Sequence, residues 1–346
     1  MLLKNLPLMF IRADASPAIG SGHVMRCLAL AKAWQSSGGR VAWLAAENIA
    51  ALDERLRREG IDLKHVESAP GAAGDAEQTL AEGLSAGAAW VVVDGYRFLP
   101  DYIRQLKRGI RVLFLDDDGR FDFYPADGVL NQNASARPEL YGLREPSTRL
   151  LLGSDYALLR PEFLAEAQNR ACPAIARKIL ITMGGSDPDN VTGRVLSALS
   201  KLDEDIEAKV VMGSGNARED DLQAIADKSQ TRFQIVRSPE NMAPLMKWAD
   251  VAISGAGSTC WELAYMGLPA IVIALSSEQQ SIAEVLAQRE IAVSLGWHAN
   301  LSDERIADAL LGLLRDHLQR LAMSKHGQEL IDGRGAARVV QFLQNS

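Results

Sequence analysis

Long apolar runs are missing from this chain: no segment of its 346 residues reaches the ~18–20 continuous apolar residues of a membrane span, so no membrane partner is expected. Cysteine is scarce. Cys27, Cys172 and Cys260 stand far apart, without the paired spacing of a disulfide framework or a zinc knuckle, which points to a reducing cytoplasmic compartment. An excess of positive charge is lacking too: 37 Lys and Arg against 44 Asp and Glu give a net charge of −7, so no nucleic-acid partner is expected. The first residues hold one lysine and a short apolar run broken by Pro7, not the apolar core and small-residue cleavage site of a secretory leader. Low-complexity tracts and short-period repeats are absent as well. None of this excludes an anionic ligand, because backbone amides and one or two local cations suffice to hold a diphosphate.

What is present is an alternation of short β-rich runs with longer helical ones. The expected strands are 7–12, 40–45, 62–66, 90–94, 111–116 and 128–131 in the first half, and 178–183, 208–212, 232–236, 251–254, 270–273 and 292–294 in the second. Helical patterns fall between them, among others at 25–36, 100–107, 191–202, 280–289 and 302–314. Such alternation predicts parallel sheets covered on both faces. There are too many strands for one compact sheet, so the α/β chain is expected to form two doubly wound, Rossmann-like domains. Their expected bounds are 1–165 and 166–335, with the boundary in the polar, alanine-rich stretch that holds Pro161 and Pro173. Residues 336–346 predict a closing helix that crosses back to the N-terminal domain.

The most informative segment is Ile19-Gly20-Ser21-Gly22-His23-Val24-Met25-Arg26, which follows an apolar strand and opens a helix. In that order backbone N–H groups face an anion outside the carboxyl end of the sheet. A lone histidine in a turn is ordinarily just a satisfied side chain. Flanked by Gly20 and Gly22 at a strand-to-helix turn, His23 instead reads as a base, since imidazole suits proton transfer near neutral pH. Arg12 at the strand end, Asp14 in the turn and Arg26 one helical turn on are the nearby charges. Arg26 either steadies a diphosphate or forms a surface ion pair.

Two further loops carry glycines after a strand. Gly184, Gly185 and Ser186 follow 178–182, and Asp189 or Asn190 is placed to cap the next helix. Gly255 to Thr259 follow 251–254; there Gly257, Ser258 and Thr259 offer amides and hydroxyls to a phosphate, and Glu262 offers an acceptor-only carboxylate to ribose hydroxyls. No Gly-Lys-Ser/Thr follows, so this is not a Walker motif. Asp116-Asp117-Asp118 contains an Asp-x-Asp pair, but nothing near it in sequence completes a site, and no metal is expected.

Taken together, Arg12 to Ser16 with Ile19 to Arg26, Val92 to Tyr96, Leu115 to Asp118 with Leu130 to Asn133, Ser154 to Phe163, and Met183 to Asp187 resemble the UDP-2,4-diacetamido-2,4,6-trideoxy-β-L-altropyranose hydrolases of pseudaminic acid biosynthesis. The Ser254 to Pro269 region, with Glu262, Gln279 and Gln280, resembles the nucleotide half of GT-B glycosyltransferases such as the lipid II-forming N-acetylglucosaminyltransferase. The resemblance implies a GT-B-like fold with two Rossmann-like domains facing a central cleft and UDP held mainly by the second. It implies that Glu262 binds the uridine ribose, that Gln279 and Gln280 reach the sugar or its phosphates, and that Asp94 and Tyr96 line the sugar pocket. Some members carry a histidine where this chain has Gly95.

The expected reaction is hydrolysis of a UDP-activated diacetamido-trideoxyhexose by a monomer without a cofactor. His23 activates water, UDP leaves and the anomeric carbon inverts. Asp14 orients the imidazole or binds a sugar hydroxyl or amide, while helix N-termini and amides near 184–186 and 255–259 hold the leaving charge. The rivals are a GT-B glycosyltransferase with a UDP-sugar donor, in which His23 deprotonates an acceptor hydroxyl, and a non-catalytic nucleotide-sugar sensor.

Overall fold

The computed structural model describes residues 8–16, 22–166, 170–213 and 215–346. The chain divides into two compact units. The first contains strands β1 (Leu8–Ala13), β2 (Arg40–Ala45), β3 (Asp62–His65), β4 (Ala88–Asp94), β5 (Arg111–Leu115), β6 (Gly128–Asn131) and β7 (Arg149–Leu152), with helices α1 (Gly22–Ser36), α2 (Ala50–Arg58), α3 (Ala73–Ser85) and α4 (Pro100–Leu106) between them. The second runs Glu162–Asp332 and takes up α5 (Pro161–Leu164) apart from its first residue. It holds strands β8 (Lys178–Thr182), β9 (Glu207–Met212), β10 (Arg232–Arg237), β11 (Val251–Gly255), β12 (Ala270–Ala274) and β13 (Ala292–Trp297). Its other helices are α6 (Val191–Leu199), α7 (Glu219–Lys228), α8 (Ala243–Trp248), α9 (Thr259–Tyr265), α10 (Ser277–Gln288), α11 (Asp303–Arg315) and α12 (His317–Leu330). Helix α13 (Gly335–Asn345) belongs to the first unit. None of the described helices is long and apolar enough to cross a membrane.

Both sheets are parallel and doubly wound. The first has the order β3-β2-β1-β4-β5-β6-β7 and the second β10-β9-β8-β11-β12-β13. In each, the chain builds outward from its first strand, then returns to add strands on the other side. Strand order therefore reverses between β1 and β4 and between β8 and β11, where connecting helices diverge to opposite faces and open a crevice at the strand ends. Strand β7 was not among the expected ones. Its four residues, Arg-Leu-Leu-Leu, have neither alternation nor β-branched side chains, and pairing with β6 at the sheet edge is what makes them a strand.

Period-two alternation sorts the first sheet into two faces. Met9, Ile11 and Ala13 of β1, with Trp90 and Val92 of β4, join one buried cluster with Val24, Cys27, Leu28 and Trp34 of α1. Leu8 and Phe10, with Val91 and Val93, join a second cluster with Tyr102, Ile103 and Leu106 of α4. By this parity Asp94 lies on the α1 face, whereas Arg12 lies on the opposite face, toward α3 and α4. Helix α13 docks on the α1 face: Ala336, Val339, Val340 and Leu343 are buried there, and the Trp90 indole N–H donates to the Leu343 carbonyl at 3.0 Å.

Truncating this docking helix inside its contact is therefore costly. Leu343→Ala should lower the unfolding free energy by about 2–5 kcal/mol in urea titrations. A change within experimental error would mean that α13 does not pack on this sheet.

Candidate active site

Helix α1 turns His23, Arg26, Cys27, Leu30 and Trp34 inward, the spacing of one helical face. Its first turn thus lies over the carboxyl end of β4, where Asp94 is the last residue. Imidazole Nδ1 of His23 lies 2.7 Å from Oδ1 of Asp94. The Arg26 guanidinium donates to both Asp94 oxygens at 2.7 Å and, on its other edge, to Asp117 at 2.6 and 3.0 Å. Asp117 is held in turn by the Asn133 amide, which donates to its carbonyl at 3.0 Å. The loop that delivers Asp117 is built by its neighbours. The Asp116 carboxylate accepts from Gly119 N–H and from the Tyr124 hydroxyl, both at 2.9 Å. Gly119 adopts φ +74°, and a Cβ there would lie 2.6 Å from that of Leu140, so only glycine fits the turn.

Burial by itself would push the Asp94 carboxyl up, but Arg26 and His23 outweigh it and hold Asp94 well below the usual carboxylate range. Asp117 is likewise held down against burial, chiefly by Arg26. Nδ1 of His23 thus faces an ionised Asp94 oxygen at 2.7 Å and Arg26 Nη2 at 3.2 Å; in the tautomer that donates Nδ1–H to Asp94 the lone pair is on Nε2, the arrangement a general base requires. Two carboxylates and one guanidinium leave one net negative charge in this buried cluster. Cys27 donates its thiol to Asp94 at 3.4 Å, and burial pushes that thiol well above its usual range, so it is no nucleophile. The Tyr96 ring, 43% exposed, packs edge-to-face on His23 with centroids 4.9 Å apart.

Several expected roles change. Arg12 was expected at the substrate, but the parity of β1 turns it to the other face, where it is fully buried and donates to Asp75 of α3 at 3.0 and 2.9 Å. Asp14 was expected to orient His23 or bind a sugar hydroxyl or amide; its carboxylate accepts from Ala46 N–H at 2.6 Å and pairs with Arg12 at 2.7 Å, and Asp94, not Asp14, makes the imidazole contact. Arg26 forms neither a surface ion pair nor a free phosphate clamp, being buried between two carboxylates. Asp94 is fully buried and committed to His23 and Arg26, so it is not an open pocket wall. Gly22 opens α1; Gly20, with Ile19 and Ser21, lies outside the described residues. At Gly95, φ is +148° and a Cβ would meet Phe98 at 3.0 Å, which explains why no histidine stands there. Asp117 was missed as a site residue; the sequence offered only an acidic run.

In the second unit the loops after β8 and β11 flank the other reversal of strand order. Gly184 has φ +81° with open space where a Cβ would lie, and the Gly185 carbonyl accepts from Gly215 N–H at 3.0 Å. Asp187, not Asp189, dominates the start of α6: its carboxylate accepts from Val191 and Thr192 N–H at 2.8 and 2.9 Å, while Asn190 takes Gly193 at 3.3 Å. The expectation that this helix N-terminus neutralises a ligand's charge is therefore corrected, because its first amides already serve the protein's own side chains. Ser258 precedes α9, Thr259 opens it and Glu262 sits in its first turn, partly buried. Gln279 lies against this loop, its Nε2 3.5 Å from where a Gly257 Cβ would be, and its Oε1 accepts from Leu275 N–H at 3.0 Å; Gln280 is exposed.

The charge cluster has a stability signature. Asp94 and Asp117 are depressed in the folded state, so their contribution is present above about pH 4 and is lost as pH falls below it. Arg26→Met should cost about 3–5 kcal/mol at pH 7 by leaving both carboxylates buried without a cation. That deficit should shrink as pH falls below about 4 in urea titrations; an equal deficit at pH 7 and pH 3 would contradict the assignment.

Comparison with known proteins follows the same division. The glycosyltransferase family 28 C-terminal domain matches residues 179–338. The spore coat polysaccharide biosynthesis protein SpsG of Bacillus subtilis is 30% identical over 237 residues, covering 68% of this chain and 69% of that protein. A UDP-2,4-diacetamido-2,4,6-trideoxy-β-L-altropyranose hydrolase of Campylobacter jejuni is 28% identical over 299 residues, 81% of this chain and 96% of that one. Among solved structures, Acinetobacter baumannii MurG aligns with a TM-score of 0.68 at 19% identity, covering 98% of this chain and 100% of its own. That likeness establishes the fold: two Rossmann-like domains of the GT-B type.

Proposed function

This chain belongs to the family of the spore coat polysaccharide biosynthesis protein SpsG, and from that premise we propose that it hydrolyses a UDP-activated diacetamido-trideoxyhexose to UDP and the free sugar, as a cytoplasmic step of pseudaminic acid biosynthesis. The observation that carries the reading is the 2.7 Å contact between His23 and an Asp94 kept ionised by Arg26. In the proposed step Nε2 of His23 takes a proton from water as the water oxygen bonds to the anomeric carbon. The bond from that carbon to the diphosphate oxygen breaks, UDP leaves with the electron pair and the centre inverts. Asp94 steadies the resulting imidazolium. UDP is held by the second unit, with amides at 184–186 and 257–259 on the phosphates, Glu262 on the ribose, and Gln279 and Gln280 toward the sugar phosphate.

The hydrolase of Campylobacter jejuni, which aligns over most of both chains, supports water as the acceptor. The family 28 domain match supports the second reading, transfer to an acceptor hydroxyl through the same base. Incubation with UDP-diacetamido-trideoxyhexoses in the absence of acceptor separates them: free sugar with an inverted anomeric centre, followed by NMR, is expected, and acceptor-dependent UDP release would favour the transferase. Binding without turnover would favour a sensor.

His23→Ala should reduce turnover on the order of a hundredfold or more while UDP affinity stays within twofold. Glu262→Ala should do the reverse, weakening UDP about tenfold through loss of a charged acceptor with kcat little changed. Calorimetry with UDP and a coupled UDP-release assay read the two effects separately; a His23→Ala protein that releases UDP at the normal rate would sink the assignment.

A further inference from the structure

Arg120 lies outside both the proton site and the hydrophobic core, yet it is tied to the segment that carries Asp94 and Tyr96. Its Nη2 donates to the Gly95 carbonyl at 3.0 Å. Its guanidinium carbon sits 5.0 Å from the Tyr96 ring centroid and 4.9 Å from that of Phe121. Its Nε is buried and, among the described residues, has no hydrogen-bond partner. A buried donor left unpaired is unfavourable, so hydrogen bonding alone does not explain this placement. The stacking and the single carbonyl contact account for it.

Those contacts fall where the backbone most needs holding. Gly95 separates the carboxylate that orients His23 from the ring that packs on it, and at φ +148° it has conformational freedom denied to other residues. Tyr96 is half exposed and meets His23 through one edge-to-face contact at an interplanar angle of 85°. We propose that Arg120 is a positioning residue for the hydrolysis: it pins the Gly95 peptide and the Tyr96 ring, and thereby fixes the imidazole of His23 through the Tyr96 contact, in addition to Asp94's grip. This rests on His23 being the base, as proposed above. A planar guanidinium stacks on a ring while donating in its own plane, and a lysine does not, so the role is specific to arginine.

The test compares Arg120→Ala, Arg120→Lys, Tyr96→Leu and the double variant Arg120→Ala/Tyr96→Leu. Turnover, UDP affinity, melting temperature and the ring-proton resonances of His23 are measured; with five histidines in the chain, His23 is assigned through His23→Gln. Both Arg120 variants should lose about tenfold in kcat, as expected for a slightly misplaced base, with UDP affinity within twofold. The His23 resonances should move toward their positions in Tyr96→Leu, and the double variant should be no slower than Tyr96→Leu alone. Unmoved His23 resonances in Arg120→Lys, or losses that multiply in the double variant, would overturn the proposal. If the parent protein turns over no UDP-sugar, the hydrolase reading fails by itself, and the resonance comparison still decides whether Arg120 holds Tyr96 on His23.

Discussion

The first unit depends on one buried cation. Arg26 sits between two carboxylates, Asp94 at the end of β4 and Asp117 in the loop after β5, and the guanidinium is the chief cause that holds each of them ionised against burial. Charges removed from water are tolerated when they satisfy one another with good geometry, and this one does so on two edges at once. The consequence is mechanical as much as electrostatic. Helix α1, strand β4 and the 116–120 loop are locked at the point where strand order reverses, and His23, one turn before Arg26, is held against Asp94.

The same topology is used twice for different chemistry. At the β1/β4 reversal the chain places titratable groups: an imidazole, a guanidinium and two carboxylates. At the β8/β11 reversal it places glycines, hydroxyls and amides, with Glu262 as the nearby acid. A parallel doubly wound sheet opens a crevice at such a reversal whatever its sequence, so the fold supplies two sites and the loops decide what each does. Asp187 sharpens the second. By occupying the first amides of α6 it places a carboxylate where a helix would otherwise attract an anion.

Much of the fold was legible in the sequence because inner parallel strands, buried on both faces, read as apolar runs, and the edge strands β3 and β10 fell into the same alternation with helical patterns. Strand β7 did not, since three leucines without alternation carry no strand signal until an edge is there to pair with. In the site, His23 was legible from its glycines, and Asp94 from its motif. Their partnership was not, because 71 residues separate them and nothing local distinguishes Asp94 from Asp14 as the orienting acid.

The sequence by itself determined the class of fold, the two glycine-bearing reversals and a histidine at the start of a helix. Local propensity and periodicity are short-range properties, and they are written residue by residue. Only the tertiary structure decided which charges meet. Side-chain parity on β1 sends Arg12 away from His23, parity on β4 sends Asp94 beneath it, and a glycine turn at 119 returns Asp117 and Arg120 to the same place. Those outcomes depend on strand order and on which face each helix covers, and both are fixed only when distant segments pair.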